Sequence, residues 1–206
     1  MANLDKRAGF IGIDNLGSAS YSGKGHTYYI PSTDGSVYAV GDAVVTVAGS
    51  DANGIPMVAQ GATSSGGAYR GVIMGVLPVF ENNPALIGSS LTLETTIIPA
   101  SKTRGYYVQV DDDPNSMFAI QDDGLTVLTT TAANKLANFT YAAPTGSQQV
   151  SQSVLISSAL VTSPGSSASL RIMGFLQRPD TTLGTAYTWL VVKFNNHELA
   201  NGATGV

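Results

Sequence analysis

The sequence predicts an all-β fold, mainly antiparallel, a sandwich or barrel that could be two small β lobes on one core. Three observations predict it. Short runs of β-branched and aromatic residues alternate with a period of two from one end of the chain to the other. Turn formers break those runs at short intervals, drawn from 23 Gly and 9 Pro. The one stretch with a helical apolar pattern is residues 131–139, two turns at best.

Taken in order, residues 1–26 are rich in Gly and Ser, with sparse apolar anchors at Leu4, Phe10, Ile11, Ile13 and Leu16. They suit an extended arm that orders on binding and is dispensable to the fold of the remaining β domain, 27–206. Runs at 27–30 and 37–40 flank Asp34-Gly35, and runs at 42–47 and 57–60 flank Asn53-Gly54. Both dipeptides supply positive φ cheaply and read as hairpin turns. Residues 71–79 and 91–98 are joined across Asn83-Pro84; 106–110 and 117–121 are joined across Asp113-Pro114-Asn115. The runs at 170–176 and 189–194 are apolar on both faces, which places them at the centre of a core or under a partner. Any lobe boundary falls near 125. Residues 48–67 and 147–165 read as long irregular loops, of the kind that carry function or order by contact. Ile73-Met74-Gly75 and Ile172-Met173-Gly174 repeat three letters, a weak sign of a duplicated lobe.

Composition narrows the function. Only 12% of the 206 residues are charged, against about a quarter in an average domain. Polarity comes instead from Ser, Thr, Asn and Gly, as in a chain built to lie against something. Ten basic and fourteen acidic residues give a net charge of −4, with no basic stripe for direct contact with nucleic acid. There is no Cys, hence no disulfide and no sulfur-ligated zinc. The N-terminus lacks the continuous apolar run of a secretory signal, and the apolar stretch at 71–80 is too short to span a bilayer. The sequon at Asn138 therefore reads as accidental.

Catalytic signatures are sparse. His26 and His197 are the only imidazoles, no Gly-x-Ser-x-Gly elbow presents a serine, and His197 reads as a solvated or loop-bonded ring. The run from Gly17 to Lys24 has the wrong spacing for a phosphate loop. Asp111, Asp113, Asn115 and Asp122 fall at positions one, three, five and twelve of a calcium loop. Ser116 stands where that loop needs Gly, so the aspartates read as turn caps. No cofactor and no metal is expected. Tyr28, Tyr29, Tyr106, Tyr107 and Trp189 are candidate face aromatics, each adjacent Tyr pair pointing one ring outward. The candidate partner-binding residues are Leu4, Phe10, Ile11, Tyr28, Tyr29 and Tyr107.

An ordered series of blocks resembles a family of tailed-bacteriophage virion proteins of about this length, read as capsid decoration or cement proteins. They are Ala2-Asn3-Leu4-Asp5-Lys6, Tyr28-Tyr29-Ile30-Pro31, Gly41-Asp42-Ala43-Val44, and Gly71-Val72 with Gly75-Val76. Then come Tyr107-Val108-Gln109-Val110 leading to Asp112-Asp113-Pro114, Phe118 and Gln121. Arg171-Ile172-Met173-Gly174, Pro179-Asp180 and Asn195-Asn196-His197 close the series. Ala43 and Thr181 depart from the pattern, where Pro and Asn are common. The resemblance implies a non-enzymatic virion protein on the capsid exterior. Its implied partners are the major capsid protein and further copies of itself, as a dimer or trimer, with no nucleic acid or membrane contact. The rival readings are a tail, collar or fibre module that binds host carbohydrate through its Tyr/Trp face, and a β-class hydrolase.

Overall fold

The computed structural model describes residues 3–17, 21, 23, 25–61, 67–77, 96–162 and 168–200. The expected junction at Asn83-Pro84 and most of the Gly17–Lys24 run lie outside the described residues. In chain order the strands are β1 (Ile11–Asn15), β2 (His26–Ile30), β3 (Tyr38–Ala39), β4 (Ala43–Ser50), β5 (Pro56–Ala59), β6 (Gly71–Leu77) and β7 (Ile97–Ile98). They continue as β8 (Tyr106–Asp111), β9 (Ser116–Gln121), β10 (Leu136–Ala137), β11 (Phe139–Thr140), β12 (Val154–Leu155), β13 (Leu170–Phe175) and β14 (Trp189–Phe194). The fold is all-β, as the alternation predicts.

Ten of these strands form two larger units, and the pairs β3–β7 and β11–β12 form two-stranded sheets. A closed barrel runs β2-β5-β4-β6-β8, and a five-stranded sheet runs β1-β9-β14-β13-β10. The β4–β5 pair is the hairpin expected around Asn53-Gly54. The hairpin expected at Asp34-Gly35 is not formed. β2 pairs with β5 and β8, while β3 pairs with β7. The Asp34 turn is held instead by buried Lys102, whose Nζ donates to the carbonyls of Asp34 and Ser36. The turn at Asp113 carries the chain out of the barrel at β8 and into the sheet at β9, so the units change over near 112–115 rather than near 125.

Period-two alternation explains how the units join. On β4 and β6, Val44 and Ile73 point into the barrel with Tyr28, Ile30, Val58, Val108 and Val110. Their neighbours Ala43 and Val72 point outward into a second core with Phe118, Ile120, Ile172, Leu190, Val192 and Phe194 of the sheet. These strands are apolar on both faces because each faces a core on both sides. The repeated Ile-Met-Gly tripeptides occupy the same local geometry. Pairing shifts register between Ile73 and Gly75 on β6 and between Ile172 and Gly174 on β13, leaving each Met as the extra residue of a bulge. One strand sits in a closed barrel and the other in an open sheet, so the shared letters mark a bulge.

Two expectations are corrected. The helix at 131–139 is one 3-10 turn, Thr130–Ala132. Asn134 takes φ +65°, and the following residues pair with β13 and β12, so tertiary pairing overrides the helical preference of the alanines. The described part of the N-terminal arm is integral to the body. Phe10 is 2% exposed. Its ring meets Phe139 at 5.0 Å and Phe118 at 6.2 Å edge-on, and Phe194 at 5.6 Å. β1 then extends the sheet as its edge strand. Upstream, the Gln121 side chain accepts the Lys6 N–H at 2.9 Å and donates to the Leu4 carbonyl at 2.9 Å, while Asn3 bonds Thr182 through both amide atoms.

Close packing at Gly9 and Gly41 fixes this segment. Both have positive φ (+62° and +94°), and a Cβ added at Gly9 would lie 2.5 Å from the Ser151 Cβ and 2.6 Å from the Gly41 carbonyl. Phe10 N–H donates to that carbonyl at 2.9 Å. Beside it, buried Asp42 accepts from Ser151 Oγ at 2.6 Å, from Ser153 Oγ at 3.2 Å and from Ala39 N–H at 2.8 Å. Burial pushes this carboxyl up to about 6, against the pull of those hydrogen bonds.

Phe10→Ala should cost about 3–5 kcal/mol, and deleting residues 1–15 should abolish cooperative unfolding. Urea denaturation measures both, and a truncated chain that unfolds like the intact one would restore the free arm. Asp42 holds its proton more tightly folded than unfolded, so stability from this group is greatest in acid and declines as pH rises through the interval up to about 6. Relative to Asp42→Asn, the native chain should lose about 2 kcal/mol between pH 4 and 7; parallel stability–pH curves for the two would refute this.

Candidate functional site

The structure separates the six candidate contact residues. Leu4 is 66% and Ile11 39% exposed, both available to a partner. Phe10 is a core residue, because the segment that carries it is not an arm. Tyr28 is buried: its ring lies in the barrel interior, its hydroxyl donates to Asp112 Oδ2 at 2.7 Å, and the Arg70 guanidinium sits 5.5 Å from its centre. Tyr29 and Tyr107 face each other on the outer side of the β2–β8 pair, ring centres 5.3 Å apart. Tyr29 is half-buried. Tyr107 is 7% exposed, and its hydroxyl donates to Asp51 in the β4–β5 turn at 2.6 Å. Trp189 is buried under Arg178, 5.2 Å from its ring. Tyr28, Tyr107 and Trp189 therefore present no open ring face, since each hydroxyl or ring is already covered from within the chain.

Two exposed apolar side chains on loops tied to the Leu4 segment carry no signal in the sequence. Leu125 is 78% and Leu183 39% exposed. Three loops meet where β9 ends and β14 begins. Asn3 ties the N-terminal segment to Thr182, Gln121 Nε2 bridges the carbonyls of Leu4 and Tyr187, and the Tyr187 ring closes over Gly124. Leu4, Leu125 and Leu183 each stand one residue from one of these ties. Their backbones are fixed while their side chains face water. Two nearby charge pairs are closed on themselves, Arg7 with Asp5 at 2.9 Å and Arg178 with Asp180 at 3.0 Å, while Lys6 beside Leu4 has no ion-pair partner among the described residues. A lone Leu directly after an Asp-Gly turn carries no periodic signal, so nothing in the pattern separates Leu125 from an ordinary turn residue.

A groove of about 570 Å³ adjoins this end, between residues 5–7 and the loop 142–152. Ala142, Ala143 and Val150 contribute its small apolar groups, and Thr145, Gln148, Gln149 and Gln152 its amides and hydroxyl. Lys6 lines both this groove and the narrow slot beside Leu4 and Trp189.

Titratable residues elsewhere act as structural ties. Asp111 Oδ1 accepts Ser116 Oγ at 2.9 Å and Asp113 accepts the Asn115 N–H, which is the expected turn capping. Asp122 lies across the six residues of β9, roughly 20 Å away, and holds the N–H groups of Gly124, Tyr187 and Thr188. Burial raises both Asp111 and Asp122 above the usual carboxylate range. Among the described residues no group of three or more His, Asp or Glu is placed to hold a metal ion. His26 is exposed, its Nδ1 bonded to Asp112 at 2.8 Å. His197 is buried and loop-bonded: its Nδ1 accepts the Leu199 N–H at 3.1 Å, and burial lowers its pKa. Glu198 accepts from Thr46 through N–H and Oγ1 and faces Arg70 at 3.4 Å, pinning the C-terminal segment to the barrel. Among the described residues no helix is long and apolar enough to cross a membrane.

Comparison with protein-family models, with curated proteins and with solved structures finds no match for this chain.

Proposed function

We propose that this chain is a structural protein of a tailed-bacteriophage particle, a decoration protein that seats on the outside of the major capsid protein lattice and stabilises the shell. The observation that carries the reading is the cluster of Leu4, Leu125 and Leu183, held outward on fixed backbone at one end of a body whose own core is closed. A folded chain with so few charges gains nothing internally from such side chains. The charge-poor composition and the resemblance of the sequence blocks support the same conclusion.

Magnitudes favour an array as the partner. Covering apolar surface yields about 25 cal/mol per Å², and a stable pairwise interface needs about 800 Å² on each partner. Three leucines and Ile11 supply a fraction of that, and association entropy opposes even this gain. Repetition resolves the shortfall, because neighbouring copies on a symmetric shell bind with raised effective concentration. The carbohydrate reading is less favoured, since Tyr107 and Trp189 offer no free ring for a sugar to stack upon.

Mass spectrometry of purified particles should give a copy number close to that of the major shell protein; a handful of copies would place the chain at the portal, collar or tail. In sedimentation with stripped heads, Leu125→Asp combined with Leu4→Ser should lose occupancy while melting like the native chain. Undiminished occupancy would remove the apolar end from the mechanism.

A further inference from the structure

We infer that the groove between residues 5–7 and 142–152 binds an extended, carboxylate-bearing segment of a partner polypeptide. The inference rests on the adhesive role proposed above for the partner's identity; the groove's own chemistry is independent of it. The volume, about 570 Å³, lies within the range of ordinary ligand sites.

The hydrogen-bond inventory decides the ligand's chemistry. The side-chain carbonyl and carboxylate oxygens that line the groove each already accept at least one hydrogen bond from within the chain. Gln148 Oε1 accepts both the N–H and the hydroxyl of Thr145, at 3.0 and 3.1 Å. Gln152 Oε1 accepts from Gln148 Nε2 at 3.0 Å, and Gln149 Oε1 accepts from Thr96 Oγ1 at 3.1 Å. The Arg7 carbonyl accepts from Gln152 Nε2 at 3.2 Å, and both Asp5 oxygens are held by the Arg7 guanidinium at 2.9 Å. Donors are left over. An amide nitrogen carries two hydrogens and an ammonium three, so Gln148 keeps one, Gln149 two, and Lys6 its full set among the described residues. Asp5 cancels Arg7, which makes Lys6 the uncompensated charge of the groove. A concave surface of free donors around one cation fits an anionic, acceptor-rich ligand.

Three features favour a peptide over other anions. The methyl groups of Ala142 and Ala143 and the side chain of Val150 suit the small apolar contacts of an extended chain. No aromatic ring lines the groove for a sugar to stack on. One cation on a protein of net charge −4 is too little for a phosphate backbone.

The test is ¹⁵N NMR titration of the intact chain, read at the side-chain NH₂ signals of Gln148 and Gln149. The probes are blocked Ala-Glu-Ala-Glu-Ala, the matching lysine peptide, glucuronate and inorganic phosphate. The glutamate peptide should move these signals saturably, the lysine peptide should not, and exposed Lys6→Glu should weaken the response at least about tenfold. No response in the millimolar range, an equal response to the lysine peptide, or saturation by glucuronate or phosphate alone would each overturn the inference. Gln149→Ala, on an exposed loop, serves as a second variant should Lys6→Glu disturb the fold. The apolar-end variants leave the groove untouched, so lost head binding with an intact titration, or the reverse, separates the two proposals.

Discussion

The structure depends on one aromatic junction. Phe10, Tyr69, Phe118, Phe139 and Phe194 come from five separated stretches of chain and close on one another between barrel and sheet, with Tyr69 stacked on Phe194 at 5.1 Å. The barrel contributes the outward faces of β4 and β6, and the sheet its inward face. Neither unit can bury its second apolar face without the other. Because both ends of the sequence enter the junction, its contacts are predominantly long-range, which predicts slow folding for a chain of this size. The buried Asp42–Ser151–Ser153 cluster sits beside it and orients the backbone where Gly9 and Gly41 approach too closely for any side chain.

Local pattern was legible and pairing was not. Alternation in 106–110, 117–121, 170–176 and 189–194 marks strands, and apolar residues on both faces mark central ones, because burial acts residue by residue. Partner choice depends on turns that sequence describes poorly. Asp34-Gly35 reads as a hairpin, yet Lys102, sixty-six residues beyond Ser36, decides where that turn goes. The N-terminal segment was misread for a related reason. Its Gly and Ser content resembles a free arm, whereas Gly9 is required for close approach and Phe10 is the plug that such an approach admits. The alanines at 132–133 have helical preference, but a single turn cannot compete with two strand pairings that bury Leu136, Ala137 and Phe139.

The candidate site was half visible. Leu4 and Ile11 were singled out as anchors of an arm; they are exposed on a segment that is folded, which makes them fixed points of a surface. Phe10 reads as an anchor of the arm and Tyr28 and Tyr107 as face aromatics, yet a large ring is equally drawn into a core or against a neighbouring turn. Leu125 and Leu183 lie in loops, where no periodicity reports whether a side chain faces in or out.

The carboxylates complete the physical picture. Of fourteen acidic residues, Asp42, Asp111 and Asp122 are buried on turn and loop groups, and buried Asp112 holds the Tyr28 hydroxyl and the His26 ring. Asp5 and Asp180 are exposed but closed onto Arg7 and Arg178. A chain already low in charge thus directs part of it inward or cancels it at the surface. Long-range electrostatics contributes little to steering at so charge-poor a surface. Encounter is then set by diffusion and orientation, and residence by short-range contact, so a single contact of this size is brief. A repeated substrate changes that balance, because each released end meets an identical site next to occupied ones. On the proposed reading, the charge distribution, the small apolar end and the rigid backbone beneath it all suit one partner geometry: many equivalent positions, closely spaced.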